Sequence, residues 1–119
     1  STRVRSSAAS DVYKRQTPKL SKENKTMVTH IVCHKYTDRE EAKKIAPMLK
    51  GLVGKVPGLI SMEAGADFMG SGRSYDLALI AKFANREDLA VYADHPEHVK
   101  VKQYIHKVLV NGISVDFED

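Results

Sequence analysis

A single cysteine, Cys33, leaves the chain with no internal disulfide and suits a reducing compartment, so a cytoplasmic location is expected. Cys33 sits mid-strand with no base at fixed spacing, which reads as a small buried hydrophobe rather than a nucleophile. Tryptophan is absent, and five tyrosines and three phenylalanines are the whole aromatic content. No basic stripe with interleaved aromatics can be traced, which argues against nucleic acid as a partner. Nor does any apolar run approach the ~20 residues that span a bilayer, so no membrane partner is expected. At 119 residues the length fits one domain with a modest core.

The net charge of +4 is unevenly placed. Residues 1–26 hold seven of the nineteen Lys/Arg and two of the fifteen Asp/Glu, leaving twelve basic and thirteen acidic residues in 27–119. The basic excess therefore belongs to a Ser-, Ala-, Lys- and Arg-rich leader without hydrophobic periodicity, which reads as disordered. It lacks the apolar core of a secretory signal, and its amphipathicity is poor for a transit peptide. The run Ser6-Ser7-Ala8-Ala9-Ser10-Asp11-Val12-Tyr13-Lys14-Arg15-Gln16 resembles translated adapter or vector sequence. Residues 1–26 are set apart on this basis, and 27–119 are taken as the folded domain.

From Met27 the pattern reads strand, helix, strand, strand, helix, helix, strand. Val28 to Tyr36 alternates Val28, His30, Val32, His34 and Tyr36 on one face with Thr29, Ile31, Cys33 and Lys35 on the other. Thr37-Asp38-Arg39-Glu40 predicts a capping box with Thr37 as cap. Ala42, Ile45, Ala46, Leu49, Leu52, Val53 and Val56 then form a helical stripe interrupted by Pro47, and Pro57-Gly58 turns the chain. Strands are predicted over Leu59 to Phe68 and Tyr75 to Phe83, with a Gly70-Ser71-Gly72 loop between them. Asn85 predicts a helix cap, and the helix presents Leu89, Tyr92 and Ala93 inward.

A second helix opens at Pro96, capped by His95 or Asp94, and carries Val101, Ile105 and Val108 on the stripe that includes His98. Asn111-Gly112 predicts the break before a half-buried strand with Ile113, Val115 and Phe117 on one face. This order predicts an α+β domain, a ferredoxin-like four-stranded antiparallel sheet with its helices on one face. The predicted strand Tyr75 to Phe83 is apolar on both faces, and one layer of helices covers only one of them. A second copy of the chain is the simplest cover for the other, so a homodimer is expected.

The chemistry concentrates in Tyr92-Ala93-Asp94-His95-Pro96-Glu97-His98, where an inward histidine follows a helix start. Burial and the helix N-terminus both favour a neutral imidazole, which can act as a general base, while the Tyr92 hydroxyl can support a developing enolate. The same residues also suit a structural clamp, with His98 bonded to Tyr92, Asp94 or a backbone carbonyl. His30, His95 and His98 lack the spacing of a metal site, and neither metal nor cofactor is expected. His34 and His106 show no recognisable spacing and read as surface or dimer-face residues.

Val28-Thr29-His30-Ile31-Val32, Pro57-Gly58-Leu59, Tyr75-Asp76-Leu77-Ala78-Leu79 and Tyr92-Ala93-Asp94-His95-Pro96-Glu97-His98-Val99 together resemble the stress-responsive A/B barrel (Dabb) family across essentially all of 27–119. The resemblance implies a dimeric α+β barrel in which two four-stranded sheets pack face to face. The family includes plant members linked to stress protection, bacterial members without assigned activity, and the polyketide-closing olivetolic acid cyclase. On that resemblance the cyclase's catalytic tyrosine and histidine fall on Tyr92 and His98, and its first-strand pocket histidine on His30. Another pocket histidine falls on Leu77, removing one polar wall. Tyr75, Leu77 and Leu89 join His30 as candidate substrate-binding residues, for a small hydrophobic or β-keto ligand. Three functions stay open: a dimeric small-molecule-binding protein, a cofactor-independent cyclase, lyase or isomerase, and a structural stress-protection oligomer.

Overall fold

A computed structural model describes residues 27–119, and the expectations for residues 1–26 lie outside the described residues. The elements are β1 (Val28–Tyr36), α1 (Glu41–Lys50), β2 (Leu59–Ala66), β3 (Leu77–Phe83), α2 (Arg86–Asp94), α3 (Pro96–Val108) and β4 (Leu109–Glu118). All strand pairs are antiparallel, and the order β2-β3-β1-β4 is the ferredoxin-like arrangement that the sequence pattern predicts. α1 and α2 pack on β2 and β3, and α3 packs against both helices.

The even-numbered residues of β1 face the helices. Val28, His30, Val32 and His34 align with Phe83, Ala81, Leu79 and Leu77 of β3, and all four of those β3 residues are buried. Ala42, Ile45, Ala46 and Leu49 of α1 close over them, joined by Tyr92, Val101 and Ile105. The opposite sheet face carries Ile31 and Cys33, half-buried, with Ile80. Beside them Ile113, Val115 and Phe117 of β4 are 52%, 59% and 41% exposed. Expected to be half-buried, these β4 residues lie bare because β4 is an edge strand with no layer above it in a single chain. Cys33 belongs to that face too, and so is not enclosed in the core.

Two caps form as the sequence predicts. Asn85 Oδ1 accepts the Asp88 N–H at 2.8 Å, and His95 Nδ1 accepts the Glu97 N–H at 3.1 Å, with Pro96 opening α3. The Thr37 capping box does not form. Instead the Thr37 N–H reaches the Val108 carbonyl at 2.8 Å, and α1 starts later through tight backbone turns onto Asp38, Arg39 and Glu40. α1 ends at Lys50, short of the predicted stripe, yet Leu52 and Val56 are buried in the turns that follow while Val53 faces outward.

β2 and β3 are also shorter than predicted, with Asp67–Asp76 outside both. Arg39 donates to the Asp67 carbonyl at 2.7 Å, Asp67 Oδ2 accepts the Gly70 N–H at 2.7 Å, and buried Asp76 accepts the Tyr36 N–H at 2.8 Å. These bonds satisfy polar groups of the loop, whose base is closed by the Asp67 N–H on the Asp76 carbonyl and the Asp76 N–H on the His34 carbonyl, both at 2.8 Å. Asn111-Gly112, predicted as a break, lies inside β4. Gly112 permits this because a Cβ there would sit 3.1 Å from the His34 ring.

Gly58 has φ +87°, and a Cβ on it would meet Asp88 Cγ at 2.6 Å. Gly58→Ala should therefore destabilise the fold by about 1–3 kcal/mol, and Asn85→Ala by about 1 kcal/mol. Urea unfolding followed by circular dichroism measures both.

Candidate functional site

α3 runs over the helix-facing side of β1 and leaves a cleft of about 160 Å³. Its strand wall is His30, Val32 and His34, and its helix wall is His98, Lys102, Ile105 and His106, with Leu49, Leu79, Tyr92 and Leu109 completing it. Four of the five histidines therefore line one cavity. His95, the fifth, is the cap of α3.

The Tyr92–His98 end is built by the α2–α3 junction. His98 is the third residue of α3, and its ring stacks on Tyr92 with centroids 3.9 Å apart and planes 21° from parallel. Its Nδ1 lies 2.9 Å from the Tyr92 backbone carbonyl, which can only accept. Nδ1 therefore carries the proton, and in the neutral ring Nε2 keeps a free lone pair. Burial pulls the His98 pKa below its ordinary value, and Lys102 and His30 add to this, while the backbone carbonyls of Tyr92 and Ala93 oppose it. Lys102 is held across the end of α2 by a 3.0 Å bond to the Ala93 carbonyl.

Tyr92 is 1% exposed, packed against Phe83 and edge-on to His30. Burial alone raises its phenol pKa. Among the described residues its hydroxyl has no hydrogen-bond partner, a condition that costs ~1–3 kcal/mol unless water or a ligand supplies one. His30 bonds through Nδ1 to Asp116 Oδ1 on the neighbouring β4, so the carboxylate orients the ring and leaves Nε2 free.

At the other end, His34 Nδ1 meets the Tyr36 hydroxyl at 2.9 Å, and burial followed by the proximity of His106 lowers the His34 pKa. Reading His34 as a surface or dimer-face residue is corrected here, because it is half-buried in the cleft, whereas His106 is exposed, as expected, at the rim of the same cleft. The signal was present as His98, Lys102 and His106 at four-residue spacing, but it has meaning only once α3 is known to lie over His30 and His34.

The candidate residues are thus brought together in part. His98, Tyr92 and His30 share the cleft. Leu89 lines a separate cavity of about 410 Å³ with Arg86, Asp116 and Glu118. Tyr75 and Leu77 line a third, of about 500 Å³, beside Cys33 and Phe68 at the β2–β3 loop. Asp116 and Lys102 were not singled out by sequence reasoning. Among the described residues no three His, Cys, Asp or Glu side chains are grouped to hold a metal ion, and no helix is long and apolar enough to cross a membrane.

His34 and His98 both have depressed pKa values in the fold, so the unfolded chain binds protons first as the pH falls. Their stabilising contribution is complete above the ordinary histidine value of 6.5 and is lost as the pH drops from there through the folded values. Unfolding stability should decline from pH 7.5 to pH 5, and His98→Gln should flatten that decline. Urea titrations at several pH values test it.

No curated protein matches the chain. Several solved structures share its fold. One from Bacteroides fragilis, described as a dimeric protein of unknown function with a ferredoxin-like fold, is 31% identical, covering 78% of this chain and 96% of its own, with a TM-score of 0.66. A dimeric ferredoxin-like protein of unknown function from Thermobifida fusca is 24% identical over 79% of this chain and 92% of its own, with a TM-score of 0.69. A hydroxynitrile lyase from Passiflora edulis is 14% identical over 78% of this chain and 93% of its own, with a TM-score of 0.66, a likeness of fold alone. The profile of the Stress Responsive A/B Barrel Domain matches residues 28–119. With that profile covering nearly all of the described chain, the protein belongs to the stress-responsive A/B barrel family.

Proposed function

We propose that the protein acts as a homodimer, joined through its bare sheet faces, and that each copy holds a small carbonyl-bearing molecule in the cleft between β1 and α3. The observation that carries the ligand reading is the pairing of two unsatisfied groups at one end of the cleft. The Tyr92 hydroxyl lacks a protein partner among the described residues, and the neutral His98 ring has its Nε2 lone pair free. A donor and an acceptor left open in a mostly apolar cavity are what a small-molecule site requires. The homodimer reading rests on the exposed row Ile113, Val115 and Phe117 beside Ile31 and Ile80, and on the relatives described as dimeric.

The fixed tautomer of His98 favours a second, catalytic reading at the same site. His98 Nε2 takes a proton from the carbon next to the ligand carbonyl. The C–H electron pair forms the new C=C bond, and the carbonyl π pair moves onto oxygen, where the Tyr92 hydroxyl donates to it. His98 then returns its proton to the product, so the cycle is redox-neutral and needs no cofactor. This is the proton chemistry of a cyclase, lyase or isomerase. A structural stress-protection oligomer would leave the same cleft without a ligand.

In solution the chain should elute as a dimer by light scattering, and Val115→Glu should yield folded monomer. Catalysis is read from exchange of the α-protons of 4-phenyl-2-butanone into heavy water, followed by NMR. The native protein should accelerate it, and His98→Gln should lose roughly 100- to 10,000-fold of the acceleration. Ligand-induced shifts at His98 without exchange would leave binding alone, and neither shifts nor exchange would leave the structural role.

A further inference from the structure

The cleft has two histidine poles. On β1, His30 and His34 point to the same side with Val32 between them. On α3, His98, Lys102 and His106 recur every four residues and so form one row facing that strand. His30 lies close enough to His98, and His34 to His106, for each pair to feel the other's charge. Four residues of strand and eight of helix both span about 12–13 Å, so the rows stay in step from one end to the other. The floor between them is Leu79, Leu49 and Ile105.

We infer that the His34–His106 pole binds the carboxylate of an elongated ligand whose carbonyl end lies at Tyr92 and His98. This rests on the ligand-binding reading above and names its substrate class, an aliphatic or aryl-aliphatic keto acid. Two imidazoles, His34 and His106, and no acid line that end of the cavity. Among the described residues the one carboxylate that pairs with a cleft histidine, Asp116, is committed to His30 at the opposite end.

The groups facing His34 are His106 from α3 and the Tyr36 hydroxyl from its own strand, whereas Leu49 of α1 and Gly112 of β4 offer no charge, and the Lys102 ammonium is turned to the His98 end by its bond to the Ala93 carbonyl. Asp76 stands behind Tyr36, where its carboxylate accepts the Tyr36 N–H and lies 3.8 Å from Arg39. Burial and the nearby His106 make His34 resist protonation in the unoccupied cleft, and an entering carboxylate relieves that resistance by pairing with the imidazolium it permits. A singly charged carboxylate suits this pole better than phosphate, because His34, with its depressed pKa, supplies little standing charge at pH 7 and the cleft is narrow.

The test compares the keto acid 5-oxo-5-phenylpentanoate with its neutral isostere 5-oxo-5-phenylpentanamide, by calorimetry and by histidine ring NMR on the whole chain. The acid should bind at pH 6, weaken about tenfold or more by pH 8, and raise the pKa of His34. The amide should bind independently of pH and leave His34 unmoved. His34→Gln and His106→Gln should each weaken the acid about tenfold and spare the amide, and exposed His106 can be replaced without touching the core. Equal pH profiles for acid and amide, or acid binding unchanged in both variants, would overturn the carboxylate pole. If both probes shift His98 while His34 and His106 stay silent, only the pole falls. If neither probe shifts any cleft histidine, the ligand-binding reading falls with it.

Discussion

β1 is hydrogen-bonded on both edges, to β3 and to β4, and the layout of the molecule is indexed to its two-residue period. Even positions enter the layer under the helices, and odd positions enter the bare face. A slip of one residue would carry His30 and His34 out of the cleft and put Ile31 and Cys33 into it. The apolar partners of β3 make such a slip costly, since Leu77, Leu79, Ala81 and Phe83 match the even positions of β1 in the buried layer. The core therefore sets the register of the chemistry, although the histidines contribute little to the core.

The α2–α3 junction supplies the second constraint. Asn85 starts one helix, His95 and Pro96 start the next, and Tyr92 and His98 are left stacked across the corner. His98 is held by a backbone carbonyl rather than by a side chain, so its tautomer is set by the course of the main chain. A structural clamp and a catalytic base thus use the same hydrogen bond. They differ in whether the opposite ring nitrogen meets a ligand, and Tyr92, buried with an open hydroxyl, faces the same question.

Much of the architecture was legible in local pattern. The alternation of β1, the apolar stripe of α1, the Asn85 and His95 caps and the Tyr92–His98 motif all follow from periods and capping chemistry that each segment carries alone. Local reasoning failed where a distant partner took over a local group. Thr37 spends its N–H on Val108 at the end of α3 instead of on a capping box. Asn111-Gly112 carries turn residues, yet it joins the sheet because β1 lies alongside and the glycine lets the His34 ring approach.

The sequence by itself determined the ferredoxin-like order of elements and which side of each element is apolar, because periodicity fixes how side chains point relative to their own backbone. It also located His98 at the start of an inward helix. Only the tertiary structure decided that His34 and His106 meet, that Lys102 stands between the two ends of the cleft, and that Asp116 holds His30. Those pairings depend on how α3 lies along β1 and how β4 pairs beside it. Both are set by contacts among residues far apart in the chain, which no local period encodes.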